Sequence, residues 1–348
     1  MADTAFTEDE RAPRAARALG LATAIVFCLL TAGALGITLL GTVTPPVVVL
    51  DLSFLPAAKP APPQNIPADI TAPPVVVDKP LFAGKALVAD PALIENSPVG
   101  PLPRIADDGR KPMTVYAAPA AAGKFRIAIV VSGLGISAKA TTAALASLPP
   151  GVTMGFAPYA GDVQHWVNEA RQSGHEVLLE VPMEPFDFPD SDPGPYTLRA
   201  GVDEDSNLQR LTWTLSRFTG YAGVTNLLGQ RFLSNPDALS PALTYMARRG
   251  LYFYDNGASA GSAAPQAAGA TATPFARSNE SLDGIQTALE IDRHLSALED
   301  QARAHGSAIG SGFLYPVTLD RIAAWSKGLQ GRGFVLVPVS AIVTGPSK

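Results

Sequence analysis

The chain has 348 residues, enough for one large domain or two smaller ones, and its 47% hydrophobic and 16% charged residues favour a globular protein with a membrane segment. Its net charge of −5, without a long basic run, argues against a nucleic-acid partner. The single cysteine, Cys28, excludes an intramolecular disulfide, and only four histidines are available as ligands for a catalytic metal.

The N-terminal segment predicts a membrane anchor over residues 18–43. This stretch carries no charge, and about 20 apolar residues suffice to cross a bilayer as a helix. Three arginines lie within residues 1–17 and the next basic residue is Lys59, so the positive-inside bias places residues 1–17 in the cytoplasm. A cleaved signal peptide is the alternative, although its apolar region is usually only about 7–15 residues long. We therefore expect a single-pass protein of the inner membrane with a periplasmic C-terminal part.

Residues 44–122 are predicted to form a linker. They contain 16 of the 32 prolines of the chain, and proline removes the backbone donors that helices and central strands need. We expect this segment to be largely disordered, spanning roughly 50 Å as a flexible coil.

Residues 124–343 alternate between short apolar runs and helix-like stretches. A single parallel α/β domain is expected, and both an open doubly wound sheet and a barrel fit the pattern. Residues 256–273, rich in glycine and alanine, are expected to form a loop. Strands are predicted at 126–131, 152–157, 176–181, 251–254, 307–311 and 333–337, and helices at 137–148, 162–173, 239–249, 285–304 and 319–329, with a further helical face at Leu208, Leu211, Leu215 and Phe218.

Polar residues follow several of these strands. Glu180 ends the strand at 176–181, and Glu184 lies just after the turn that Pro182 imposes. Because ligands bind at the carboxyl ends of parallel strands, two carboxylates there suit metal binding, acid–base chemistry or recognition of sugar hydroxyls. A solvated loop with one helix-capping acid remains the alternative. Asn226, Arg231, Asp255 and Ser311 occupy similar positions near other strand ends.

Two other kinds of site match the sequence poorly. The turn at residues 132–138 matches G-x-G-x-x-A, a dinucleotide-binding pattern, but the next strand does not end in the acidic residue that this site requires. A nucleophilic serine needs G-x-S-x-G at a strand-to-helix turn, and neither Ser132 nor Ser311 lies in that pattern.

Four segments together carry a resemblance to a known family: Gly174–Pro185, Gly223–Gly229, Arg249–Asp255 and Leu336–Ser340. Over residues 124–343 the chain resembles the divergent polysaccharide deacetylases, a branch of the NodB-type carbohydrate esterases. The resemblance implies a deformed (β/α) barrel with a cleft at the carboxyl ends of its strands. It also implies a role in carbohydrate metabolism in the cell envelope.

Active relatives remove N-acetyl groups from sugars with a divalent metal, an aspartate base and a histidine acid, and these groups are mostly replaced here. The Asp-Asp pair of the family aligns with Ser132-Gly133, and a ligand histidine with Glu180. The Asn-His pair becomes Asn226-Leu227, and a late Gly-His becomes Gly310-Ser311. Neither leucine nor glycine has a side chain that binds metal, and serine cannot replace a carboxylate base near neutral pH.

The sequence therefore predicts a non-catalytic domain that has no cofactor. This domain would bind an envelope glycan or an envelope protein. Its cleft would contain Glu180, Glu184, Asn226, Arg231 and Asp255, with an aromatic contact from Trp166, Phe186 or Tyr254. One alternative is an active deacetylase whose divalent metal, such as zinc, is held by Glu180, Glu184 and Asp255. A purely structural envelope component is the other.

Overall fold

The computed structural model describes residues 89–345, which form an α/β unit around a parallel sheet. Two short antiparallel strands come first, β1 (Ile94–Ser97) and β2 (Gly100–Pro103). The main sheet contains β3 (Phe125–Leu134), β4 (Thr153–Phe156), β5 (Val177–Met183), β6 (Gly223–Leu228), β7 (Tyr252–Asp255), β8 (Phe275–Arg277), β9 (Glu280–Ser281), β10 (Ser307–Phe313) and β11 (Phe334–Leu336). The helices are α1 (Pro112–Val115), α2 (Ala138–Ser147), α3 (Val163–Gln172), α4 (Glu204–Leu215), α5 (Gln230–Leu233), α6 (Pro236–Arg248), α7 (Ala264–Thr271), α8 (Ala288–His305) and α9 (Pro316–Ser326).

The main sheet curls until its two ends meet. The strand order is β8-β7-β6-β5-β4-β3-β10-β9, and β11 pairs with the first residues of β3. Only residues 278 and 279 separate β8 from β9, although these strands pair with β7 and β10 at opposite ends of that order. This curled, barrel-like sheet confirms the predicted parallel α/β fold of the deacetylase type and rules out the open doubly wound sheet.

Alternation along the strands creates two buried layers. One face of the sheet packs against the helices through residues such as Val131, Leu179 and Phe253. The other face points into the curl, where Val130, Leu178, Tyr252, Tyr254 and Ile309 form a separate cluster. Because all strands of this sheet run parallel, their carboxyl ends lie at the same end of the curled sheet. We call this end the mouth.

Side-chain caps set the start of several helices. Ser137, Asp203, Asn235 and Thr287 each accept a hydrogen bond from the backbone N–H three residues later. Such a cap satisfies one of the N–H groups that a helix leaves unpaired at its start. The polypeptide therefore leaves the mouth of the sheet and enters helices α2, α4, α6 and α8 at defined residues.

The predicted linker is wrong for residues 89–122, which are folded against the sheet. Leu93 and Leu102 are 1% and 2% exposed, and the ring of Tyr116 lies 4.8 Å from the guanidinium of Arg171. The prolines here occupy positions that tolerate proline, such as the first turn of a helix or an edge strand. The rest of the predicted linker lies outside the described residues, as do residues 1–17 and the predicted anchor at 18–43.

Two further expectations need correction. The predicted loop at 256–273 contains α7, whose alanines Ala264, Ala267 and Ala268 are buried. The small residues of this segment indicated a loop, but they form a helix because alanine has the highest helix propensity. The last predicted helix, at 319–329, instead runs Pro316–Ser326, with proline in its first turn. Among residues 89–345, no helix combines the length and the apolar character that a membrane span requires.

Candidate functional site

Glu180 is the buried carboxylate of the mouth. It lies on β5, its side chain is fully buried, and its Oε1 accepts a hydrogen bond from the backbone N–H of Gly133 at 2.5 Å. Burial raises the pKa of Glu180 to about 7, against the opposing effect of hydrogen bonds from Gly133 and the Ser132 hydroxyl. Its second oxygen, Oε2, has no hydrogen-bond partner among the described residues. This glutamate is thus an acceptor for the backbone N–H of Gly133 near the end of β3, and its burial favours the protonated form.

A glycine on the intervening strand makes this contact available. Glu180 is on β5 and Gly133 on β3, so the carboxylate must pass β4 to reach its donor. A Cβ atom at Gly155 of β4 would lie 3.0 Å from Glu180 Oε1 and 3.1 Å from Ser132 Oγ. Glycine inside a strand often marks such a close approach. Gly155 is therefore part of the site although it carries no side chain.

A second polar group links the ends of β6, β7 and β10. The Tyr254 hydroxyl lies 2.6 Å from Ser311 Oγ, which donates to the carbonyl of Asn256 at 2.9 Å. Asn256 and Asn226 pair through three hydrogen bonds: Asn226 Nδ2 donates to Asn256 Oδ1 at 2.9 Å, the Asn256 backbone N–H donates to Asn226 Oδ1 at 3.0 Å, and Asn256 Nδ2 donates to the Asn226 carbonyl at 3.1 Å. These groups satisfy one another. Beside them, the buried hydroxyl of Thr225 is next to Glu180 in the strand register and has no partner among residues 89–345.

The two remaining carboxylates of the predicted cleft are engaged elsewhere. Asp255 is on β7, one residue from the inward-facing Tyr254, and it accepts from the Gly257 N–H at 2.9 Å, with Arg277 Nε 3.5 Å away. Alternation along the strand therefore directs Asp255 away from the interior of the curl.

Glu184 lies beyond β5, in the segment that leads to α4. Its Oε2 accepts from the Ala200 N–H at 2.7 Å, while its Oε1 lies 3.5 Å from Arg231 Nη1. The side chain of Arg231 is about half exposed. The structure thus brings together Ser132, Gly133 and Glu180 in one group and Asn226 and Ser311 in another, whereas Glu184 and Asp255 serve separate loops.

These positions do not fit a divalent metal. The alternative prediction required Glu180, Glu184 and Asp255 to converge, but within the part of the chain that the structure describes no three His, Cys, Asp or Glu side chains form a metal-holding group. One carboxylate oxygen of Glu180 already accepts a hydrogen bond from a backbone N–H. The groups around it are hydroxyls and amides, which are poor substitutes for the histidine and carboxylate ligands of catalytic zinc. The three carboxylates of the predicted carboxylate-only metal site therefore do not converge in this structure.

The end of β6 retains a strained backbone. Leu228 has a φ of 57°, a left-handed conformation that costs a non-glycine residue roughly 1–3 kcal/mol. Its carbonyl accepts from Asn226 Nδ2 at 2.7 Å, which helps to hold this turn. The preceding Leu227, which replaces the family histidine, is half-buried. Backbone strain of this kind is found more often at functional sites than elsewhere, and here it lies at the mouth.

The histidines take no part in the mouth. His175 is buried at the start of β5, where its Nδ1 lies 2.9 Å from the Val152 carbonyl, and burial lowers its pKa to about 4. His165 lies in α3, and His294 and His305 in α8, as expected from the sequence.

Sequence reasoning missed Gly155, Thr225 and Asn256 as members of the site. A polar residue within a buried apolar strand was the available signal for Thr225, and a glycine in mid-strand was the signal for Gly155. Asn256 follows Asp255 directly. Because the register of β6 and β7, continued by one residue, places Asn226 opposite Asp255, strand alternation does not identify Asn256 as the residue that joins Asn226.

Known proteins match both the sequence and the fold. A family model described as divergent polysaccharide deacetylase matches residues 129–343. The crystal structure of an uncharacterized protein from Agrobacterium tumefaciens is 42% identical, with a TM-score of 0.69 and coverage of 70% of this chain and 100% of that one. The uncharacterized protein YibQ of Escherichia coli is 28% identical over 208 residues, 60% of this chain. An uncharacterized protein of Haemophilus influenzae is 24% identical over 204 residues, 59% of this chain and 72% of that protein.

The match to YibQ spans 63% of that relative, just under two thirds of its length. The family model covers well over half of this chain and includes every strand end described above, from Ser132 to Ser311. The chain therefore belongs to the divergent polysaccharide deacetylase family.

Proposed function

We propose that this protein is a membrane-anchored, non-catalytic member of its family that acts in the bacterial cell envelope by binding an envelope component at the mouth. The observation that carries this proposal is the direct bond between Glu180 and the Gly133 N–H at 2.5 Å, at the two positions where active relatives have metal or base groups. Deacetylation needs a polarised amide carbonyl and a base that activates water. Here a serine occupies the base position, and the nearby carboxylate is occupied by a structural contact.

The second candidate is a hydrolase that uses Glu180 itself. A carboxyl group with a pKa of about 7 is suited to proton transfer near neutral pH, and this favours catalysis. The full burial of Glu180 and its hydrogen bond to Gly133 argue against catalysis, because a base must reach the water that it activates. The two candidates differ in a measurable reaction product.

Acetate release from N-acetylated chitooligosaccharides and from peptidoglycan separates them. We expect the full-length protein in detergent, supplied with zinc or another divalent metal, to release no acetate above the buffer rate, while an active deacetylase of the wider superfamily does so in parallel. Metal-dependent release that Glu180→Gln abolishes and that a substitution at the exposed glutamate, Glu204→Gln, preserves would show that the protein is an enzyme.

The membrane anchor belongs to the same proposal. It is supported by the uncharged apolar run at residues 18–43 and by the arginines before it. Deletion of residues 1–43 should move the protein from the membrane fraction to the soluble fraction. Protease added to spheroplasts should digest the C-terminal part of the intact protein; protection of that part would contradict a periplasmic location.

A further inference from the structure

An apolar groove lies between helices α2 and α9 on the outer side of the domain. Its volume is about 380 Å³, and Ala140 and Ala143 of α2 line one wall while Leu314 and Leu319 line the other. Pockets that bind ligands or segments of chain usually have volumes of roughly 300–1,000 Å³ and are mostly apolar. The groove is therefore large enough for a short stretch of polypeptide with apolar side chains.

The groove also carries one charge of each sign. Lys139 and Asp320 line it, both are exposed, and neither forms an ion pair with another of the residues 89–345. Arg321, which follows Asp320, pairs instead with Asp292, whose Oδ1 lies 2.7 Å from Arg321 Nε. A complementary occupant thus combines apolar side chains with one acidic and one basic residue, because a surface of a single sign would be repelled by one of the two charges.

The chain itself contains such a segment shortly before the described residues begin. Three valines, Val75–Val77, are followed directly by Asp78 and Lys79. Branching at Cβ makes valine favour extended backbone, so this segment loses little freedom when it binds in an extended form. Five extended residues measure about 16 Å, and α2, with ten residues, is about 15 Å long. The segment therefore matches the groove in composition, in charge and in length.

The described part of the chain begins close to the groove. The Asp90 N–H donates to the Tyr116 hydroxyl at 3.0 Å, and the Tyr116 ring lies 4.8 Å from the guanidinium of Arg171, in the last turn of α3. Helix α3 packs beside α2, which packs against α9. Packed helices are about 8–10 Å apart, so the groove is roughly 10–20 Å from this point. Residues 80–88 form a connection with a root-mean-square length of about 16 Å as a flexible coil, which suits that span.

We propose that the segment Val75–Lys79 docks in the groove between α2 and α9. A short tether whose length matches the distance to its site gives an effective concentration of about 1 mM or more. A millimolar affinity is therefore enough to keep the groove occupied at least half of the time. A second copy or another protein would have to displace a segment that is already attached to the domain. This docking goes beyond the proposed binding function and does not depend on whether the mouth is catalytic.

Disulfide formation in the full-length protein in detergent tests the docking. The native cysteine is first removed by Cys28→Ser. Val76→Cys is then combined with Ala143→Cys in the groove or, as the matched control, with Ala270→Cys, which is exposed on α7. With oxidised glutathione as the oxidant, we expect the first pair to form an intramolecular disulfide at least about tenfold faster than the control pair. Mass spectrometry of the digested protein identifies the bond.

Two flanking substitutions separate docking from chance encounters of a tethered thiol. In the groove pair, Val75→Ser together with Val77→Ser should lower the rate to that of the control pair, because serine gains little from an apolar groove. Neither substitution changes α2 or α9, so the domain is expected to fold as before, which circular dichroism verifies. Equal rates in the two pairs, a rate indifferent to the serines, or a disulfide between two chains would overturn the proposal. The acetate assay uses the unsubstituted protein, so its result and the result of this test are distinguishable.

Discussion

The replacement of Glu180 by glutamine should make the protein more stable, and the gain should depend on pH. In the folded protein burial raises the pKa of this carboxyl to about 7, whereas the ordinary value is 4.5. Between these two values the folded state holds a proton that the unfolded state has lost. Stability therefore falls as pH rises through this window and levels off above pH 7. Glutamine has no charge to bury and retains an oxygen that accepts from the Gly133 N–H.

The difference between the two pKa values corresponds to roughly 3 kcal/mol. Denaturant unfolding of the two proteins at pH 4.5, 6 and 8 measures it. We expect the stability of Glu180→Gln relative to the wild type to increase by roughly 3 kcal/mol from pH 4.5 to pH 8. Other buried acids, such as Glu176, titrate in both proteins, so their contributions cancel in the comparison. The substitution Glu204→Gln, on the exposed first turn of α4, serves as the control and should show no comparable trend.

A constant difference between Glu180→Gln and the wild type across this pH range would refute the reasoning. It would mean that the carboxyl ionises in the folded protein as it does in the unfolded chain, which is incompatible with a fully buried side chain whose second oxygen lacks a partner. The assignment of Glu180 as a structural acceptor would then fail as well.

Three further substitutions test the packing around this site. Gly155→Ala places a methyl group 3.0 Å from Glu180 Oε1, so it should cost about 1–3 kcal/mol in denaturant unfolding and alter the pH dependence; a neutral effect would contradict the close approach. Tyr252→Phe removes the hydroxyl that donates to Glu176 Oε1 at 2.8 Å and leaves the Ser340 N–H, at 3.0 Å, as the donor to that oxygen; loss of one of two hydrogen bonds should lower stability by about 0.5–1.5 kcal/mol, and an unchanged stability would contradict the contact. Leu93→Ala should lower the free energy of unfolding by about 2–5 kcal/mol if residues 89–122 belong to the folded unit. A change below about 0.5 kcal/mol would instead indicate that these residues are part of the linker.

The strands of the central sheet were predictable because their apolar runs are short, buried on both faces and punctuated by glycine. The predicted strand at 176–181, for example, corresponds to β5 at Val177–Met183. β8 and β9 were missed because they contain three and two residues, too few for periodicity to register. Closure of the sheet depends on these two strands, so the choice between a barrel-like and an open sheet came from the family resemblance and not from local pattern.

The site was predictable only to the level of its strand ends. Parallel strands bring Glu180, Asn226 and Asp255 to one end of the sheet, and the sequence shows this much. It does not show that Asp255 turns toward Arg277 while Asn226 turns toward Asn256, because Asn256 lies beyond the last residue of β7, where strand alternation no longer sets the direction of a side chain. The pairing of Glu180 with Gly133 is a contact between strands β5 and β3, which only the three-dimensional order of the sheet reveals.

The replacements at the mouth are physically coupled. The family resemblance places an acidic residue of active relatives at the position of Ser132 and a histidine at that of Glu180, where a metal cation would offset the acid. With glutamate at position 180, an acid at position 132 would bring two carboxylates into one buried site, where each would raise the pKa of the other. Serine at 132 avoids this repulsion and supplies a hydroxyl that lowers the pKa of Glu180. Glu180 and Ser132 can therefore lie side by side in this buried site without a cation. An acid restored at position 132 alone would therefore place two carboxylates in one buried site, so this single substitution offers no simple route back to the family chemistry.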